Sequence, residues 1–140
     1  MPSPEYRAPY AEDALHTPKP SSSLARTLAA VQGLYFLATG VWPLVHIPSF
    51  LEVTGPKTDL WLVYTVGALV AVVGLVLLCS ARTGRVSQEV ALLAAGCAAA
   101  LAAVDVLFVS RGVLPRVYLL DAAVELVILL AWGFVYLRRG

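Results

Sequence analysis

The sequence predicts an all-α protein, a four-transmembrane-helix bundle with a disordered N-terminal tail. Two observations carry this. First, the apolar residues come in blocks. Leu60–Cys79 is 20 residues without a charge, and Val90–Val109 is 20 with Asp105 alone. Val117–Leu137 is 21 with Asp121 and Glu125, and Leu24–Val45 is 22 with only Arg26, near its start. Runs of about 20 apolar residues, rising about 1.5 Å each, match a hydrocarbon core about 30 Å thick. Second, charged residues are only 14% of the 140, where a soluble domain carries about a quarter. Mean hydropathy is +0.79.

The elements follow in order. Residues 1–23 contain Pro2, Pro4, Pro9, Pro18 and Pro20, end on Ser21-Ser22-Ser23, and have few large aliphatics. That composition predicts a disordered cytoplasmic tail. Residues 24–140 form the membrane domain, with spans expected at about 24–45, 60–80, 88–110 and 116–137. The first run begins too late, and runs too long, for an ordinary cleaved signal peptide, so it reads as a retained span.

The segment His46–Asp59 mixes Ile47, Phe50, Leu51 and Val53 with Glu52 and is expected to lie on or dip into the outer interface. Gly55-Pro56 signals a turn, and Thr58 or Asp59 is placed to cap the second helix. Gly33 and Gly40 in the first span, and Gly67 and Gly74 in the second, sit seven residues apart and predict close backbone approach. Ala94, Ala98 and Ala102 give the third span a small face. Cys79 and Cys97 differ in depth by about 10 Å at helical rise, too far for a disulfide, and read as packing residues.

Lys and Arg in the short flanking segments set the orientation. The tail, the second loop and the C-terminus hold Arg7, Lys19, Arg26, Arg82, Arg85, Arg138 and Arg139; the first and third loops hold Lys57, Arg111 and Arg116. This excess predicts a multi-pass protein of the inner membrane with both termini cytoplasmic. Trp42, Trp61 and Tyr118 are expected in the outer aromatic belt, Trp132 and Tyr136 in the inner one.

That topology brings the intramembrane acids together. Asp105 and Asp121 fall about 6 Å, and Glu125 about 12 Å, below the outer surface. Asp121 and Glu125, four residues apart, share a helix face. A carboxylate in hydrocarbon costs about 2.5–3.5 kcal/mol on insertion scales, so its presence points to a role beyond spanning. On this side Glu52, Asp59, Asp105, Asp121 and Glu125 outnumber Lys57, Arg111 and Arg116, and the deficit of positive charge invites a proton, a cation or water. Arg111 is placed to pair with Asp105, and Arg116 with Asp121. Glu125 has no base near it in sequence. Glu125 and Asp121 are placed at the pocket core, with Asp105 and His46 at its mouth and Glu52 a further candidate on the same side. Gln32, Tyr35 and Tyr64 can offer hydrogen bonds, Tyr64 being nearer the outer side and Gln32 reading as an interhelical tie.

Net charge is +1, which gives no reason to expect a nucleic-acid partner. No Gly-rich phosphate loop, Cys-x-x-Cys pair, His-Glu-x-x-His or nucleophile elbow is present. One imidazole and several carboxylates would suit iron or manganese, but their spacing does not specify a site, and no metal or cofactor is assigned.

The four-pass plan over Leu24–Leu137, with its polar outer pocket, resembles small bacterial membrane proteins, including the DoxX-like class. The resemblance implies the fold plan and no activity. Small multidrug transporters are also four-pass, but their essential acid lies in the first helix, where this chain has Gln32.

The expected function is a small integral membrane protein whose acidic pocket binds a proton, a cation or a small amphiphile, through Glu125 and Asp121 with Asp105, His46, Glu52 and Tyr64. The alternative is an accessory subunit, or a homo-oligomer, that uses its acids in helix contacts. Isomerase or redox work is a third reading, for which no substrate is implied.

Overall fold

A computed structural model describes residues 21–138; residues 1–20 of the expected tail, with Arg7 and Lys19, lie outside the described residues, as does Arg139, whereas Ser22 and Ser23, expected in the tail, cap and open the first helix. Among the described residues the chain forms five helices: α1 Ser23–Val45, α2 Ile47–Thr54, α3 Leu60–Thr83, α4 Gln88–Ser110 and α5 Tyr118–Leu137. Four are long and apolar enough to cross a membrane. At helical rise their 20 to 24 residues give about 30–36 Å, enough for a hydrocarbon core of about 30 Å. The segment expected at the interface is the short helix α2.

Packing organises the bundle into two pairs. α1 packs on α3 and α4 on α5; α1 also meets α5, whereas α3 and α4 touch little. The α1–α3 pair rests on its glycines. A Cβ on Gly40 would lie 2.5 Å from Ala71 N and 2.6 Å from the Gly67 carbonyl; on Gly74 it would lie 2.5 Å from Leu37 N and 2.7 Å from the Gly33 carbonyl. No side chain fits there, so the backbones meet directly, as small residues allow between membrane helices. The α4–α5 pair uses alanine instead: Ala94, Ala98 and Ala102 are buried, facing a seam to which Ile128, Trp132 and Val135 contribute. Leu69, Leu92, Leu120 and Leu130 point outward and are exposed, as lipid-facing residues should be.

The two ends of the bundle differ. At one end the turn 84–87 joins α3 to α4. Gly84 in the left-handed region closes α3 by letting Arg85 N–H reach the Ser80 carbonyl at 3.1 Å. Ser21 Oγ accepts from Val86 N–H at 2.7 Å, and Arg26 Nε donates to the Ala81 carbonyl at 3.3 Å. These bonds tie the start of α1 to that turn. At the other end α2 folds back. His46 caps it, its Nδ1 accepting from Ser49 N–H at 3.2 Å. Trp42 Nε1 donates to Ser49 Oγ at 2.9 Å and its ring meets Phe50 edge-on at 5.6 Å.

Two sequence expectations are corrected here. Asp59 occupies the N-cap position of α3 but its side chain makes no cap bond; Thr58 Oγ1 donates to it at 3.4 Å instead. Trp132, expected in the inner aromatic belt, is buried, its Nε1 donating to Gln32 Oε1 at 2.7 Å. Burial with a satisfied N–H suits an indole better than an interface does once a partner is in reach. Tyr136 and Trp61 remain exposed, as belt residues would be.

Candidate functional site

The site lies at the α2 end, between the two helix pairs. Asp105 sits five residues before the end of α4 and Glu125 seven residues after the start of α5. Helical rise therefore sets them about 7 Å and 10 Å below their helix ends. Both are buried, with 5% and 1% of their surfaces exposed. Asp105 faces Asp121 across the α4–α5 seam within hydrogen-bonding reach. Tyr35 of α1 donates its phenolic O–H to Asp121 Oδ1, among the described residues the one side-chain bond joining this cluster to the other helix pair.

The three carboxyls line a cavity of about 490 Å³ whose other walls are almost wholly apolar. α1 contributes Phe36, Thr39, Gly40 and Pro43; α3 contributes Leu62, Val63, Val66 and Val70; α4 contributes Leu101, Val104 and Phe108. Phe50 of α2, Val113 and Leu114 of the α4–α5 loop, and Tyr118 complete the wall at the bundle end. Thr39 spends its hydroxyl on the Tyr35 carbonyl at 2.8 Å, so it adds little polarity to the wall.

Asp105 Oδ2 and Glu125 Oε2 are buried with no hydrogen-bond partner among the described residues. Buried polar atoms are paired in the great majority of native structures, so two unpaired carboxyl oxygens in one apolar cavity mark a functional candidate. Their chemistry is acceptance of a donor carrying positive charge, or of a proton.

The expected ion pairs do not form. No hydrogen bond or ion pair joins Arg111 or Arg116 to these acids among the described residues. Both arginines are exposed, and the Arg111 guanidinium lies 6.0 Å from the centroid of the Phe108 ring. The acids face inward while the arginines stand beyond the helix ends, where water solvates them better than a buried carboxylate could. Lys57 is also occupied elsewhere. Its Nζ donates to the carbonyls of Thr54 at 2.6 Å and Gly55 at 3.0 Å, and lies 5.3 Å from the Tyr118 ring centroid. Partial burial pulls its pKa below the ordinary lysine value.

Three further expectations change. Tyr64 is exposed and does not line the cavity, so the hydroxyl that serves the acids is that of Tyr35. His46 and Glu52 are exposed and stand outside the cavity wall, His46 being committed to capping α2. Their place is taken by Phe50, Leu114 and Tyr118. Among the described residues no group of three or more His, Cys, Asp or Glu side chains is arranged to hold a metal ion. The tie expected at Gln32 is present, its Nε2 donating to the Ala94 carbonyl at 2.8 Å.

Phe50, Val113 and Leu114 escaped sequence reasoning as site residues because nothing local marks which side chains of a short helix or a loop line a cavity between distant helices. Tyr35 had a legible signal, lying three residues after Gln32 and one before Phe36, beside the stripe Gln32, Phe36, Gly40 and Pro43 that α1 buries.

No protein-family model, curated protein or solved structure matches the chain. The fold defines a small helical protein with four membrane-capable spans, and the site is read from its own geometry.

Proposed function

We propose that the chain is a small inner-membrane protein that binds positive charge, as a proton or the cationic head of a small amphiphile, in an acidic pocket in the outer half of the bilayer. Glu125, Asp105 and Asp121 hold the charge, and Tyr35 positions Asp121. The carrying observation is the pair of unpaired oxygens, Asp105 Oδ2 and Glu125 Oε2, buried in a cavity that contains no basic side chain. A purely structural cluster would have its oxygens satisfied by neighbours, and here the nearest bases are spent on carbonyls and rings. The excess of Lys and Arg on the α3–α4 turn and at the ends of the chain supports cytoplasmic termini.

The test is thermal unfolding of the purified protein across pH 4–9, with and without dodecylamine. The wild type is expected to gain stability with the amine and to respond to pH. Glu125→Gln is expected to lose most of both responses while remaining folded. A wild type indifferent to pH and to the amine would overturn the reading. A C-terminal reporter that is active only in the cytoplasm checks the orientation.

A further inference from the structure

The source of the ligand follows from how the cavity is closed. On the α1–α3 side the backbones touch at Gly40, Gly67, Gly33 and Gly74, leaving no gap. The α4–α5 side is a packed alanine seam, and α1 meets α5. At the bundle end, Gly55 comes so near Pro115 that a Cβ on it would stand 3.0 Å from the proline ring, and Lys57 lies over Tyr118. These contacts bridge the α2–α3 connection to the α4–α5 loop, at the end of the cavity lined by Phe50, Leu114, Tyr118 and the exposed Val113.

The remaining seam is the one between α3 and α4, which touch little. Cavity residues on both its flanks are exposed: Leu62 and Val66 on α3, Val104 on α4. Leu62, Val66 and Val70 recur every four residues and so form a stripe nearly parallel to the helix axis, about 12 Å long. Leu101, Val104 and Phe108 form the facing stripe. Such a trough runs parallel to lipid chains and suits one straight hydrocarbon tail.

We infer that this cavity opens sideways between α3 and α4, and that it takes a single-chain amine amphiphile from the bilayer, with the tail in the α3–α4 seam and the ammonium against Glu125 and Asp105. This rests on the binding reading above and adds the ligand class and its route. An ammonium offers three N–H donors and a positive charge, matching two unpaired acceptor oxygens beside a third acid. The tail stays in hydrocarbon throughout, so binding requires no transfer of methylenes through water.

The experiment uses the full chain in phosphatidylcholine vesicles and follows carbodiimide modification of Glu125 and Asp105 by mass spectrometry. Dicyclohexylcarbodiimide, which concentrates in hydrocarbon, is expected to react at least about tenfold faster than a water-soluble carbodiimide. Dodecylamine is expected to protect both acids, and dodecanol to protect them far less. Dodecylamine carrying a mid-chain diazirine is expected to label residues 62–70 and 101–108. If the water-soluble reagent reacts as fast, or the label falls on α2 and the α4–α5 loop, the lateral route is overturned while binding of positive charge stands. If dodecanol protects as well as dodecylamine, recognition of charge is overturned while the route stands. Val66→Trp with Val104→Trp, which plugs the seam, is expected to slow the lipophilic reagent with the helical signal preserved; an unslowed reaction also overturns the route.

Discussion

The bundle buries polar side chains at two levels, and it treats them differently. Gln32, towards the 84–87 turn, has both ends of its amide occupied, by the Ala94 carbonyl and the Trp132 N–H. Glu125 lies seven residues before Trp132 on the same face of α5, is equally buried, and keeps one oxygen unpaired. Both positions are surrounded by apolar side chains. The first links α1, α4 and α5 and is complete without a ligand. The second is incomplete, and incompleteness in hydrocarbon is costly enough that a binding partner is the economical explanation.

Five substitutions would break or sharpen this contrast. The largest effect is expected at the backbone contact of α1 with α3. Gly40→Leu puts a side chain where the α3 backbone lies, and should destabilise the folded protein by about 3 kcal/mol or more in mixed-micelle unfolding, with loss of both levels. Trp132→Phe leaves Gln32 Oε1 without its donor and should cost about 1 kcal/mol, measured the same way. Glu125→Leu should act in the opposite direction, raising stability by about 1 kcal/mol or leaving it unchanged, because it removes a buried atom that has no partner. A large loss there would mean that Glu125 is a structural member like Gln32, and the contrast would collapse. Smallest of all, Arg111→Gln and Arg116→Gln should leave the unfolding midpoint unchanged, since neither side chain pairs with an acid. A clear drop in either would restore the expected ion pairs.

The contrast also marks how far the sequence could be read. Span number and limits were legible because bilayer thickness fixes helix length and the apolar blocks are uninterrupted. The glycine spacing at Gly33, Gly40, Gly67 and Gly74 was legible for the same kind of reason: a seven-residue interval keeps both residues on one face, and small residues there permit one kind of contact. The convergence of Asp105, Asp121 and Glu125 followed from depth and topology alone. What depth could not supply was rotation about the helix axis. Arg111 is near Asp105 along the chain, yet it stands beyond the helix end and the acid points inward. Tyr64 and Tyr35 both carry hydroxyls, but α3 turns the first outward and α1 turns the second toward Asp121. Trp132 was assigned to an interface by its height in the span, when its azimuth delivers it to Gln32. Of the two residues that depth places at the mouth, Asp105 is buried in the cavity wall, and His46 lies outside it where α2, by folding back, brings Phe50 instead.

The pairing of α1 with α3, and of α4 with α5, has a consequence for how the protein is made. In chain order the fold is two antiparallel hairpins, α1 with α3 joined at their glycines and then α4 with α5. All three acids travel on the second hairpin, while Tyr35, the phenol that meets Asp121, waits on the first. Until the hairpins dock, the late one carries its carboxyls through the insertion machinery without that partner. Docking is therefore the event that withdraws them from lipid, and the cavity comes into being at the same moment as the fold.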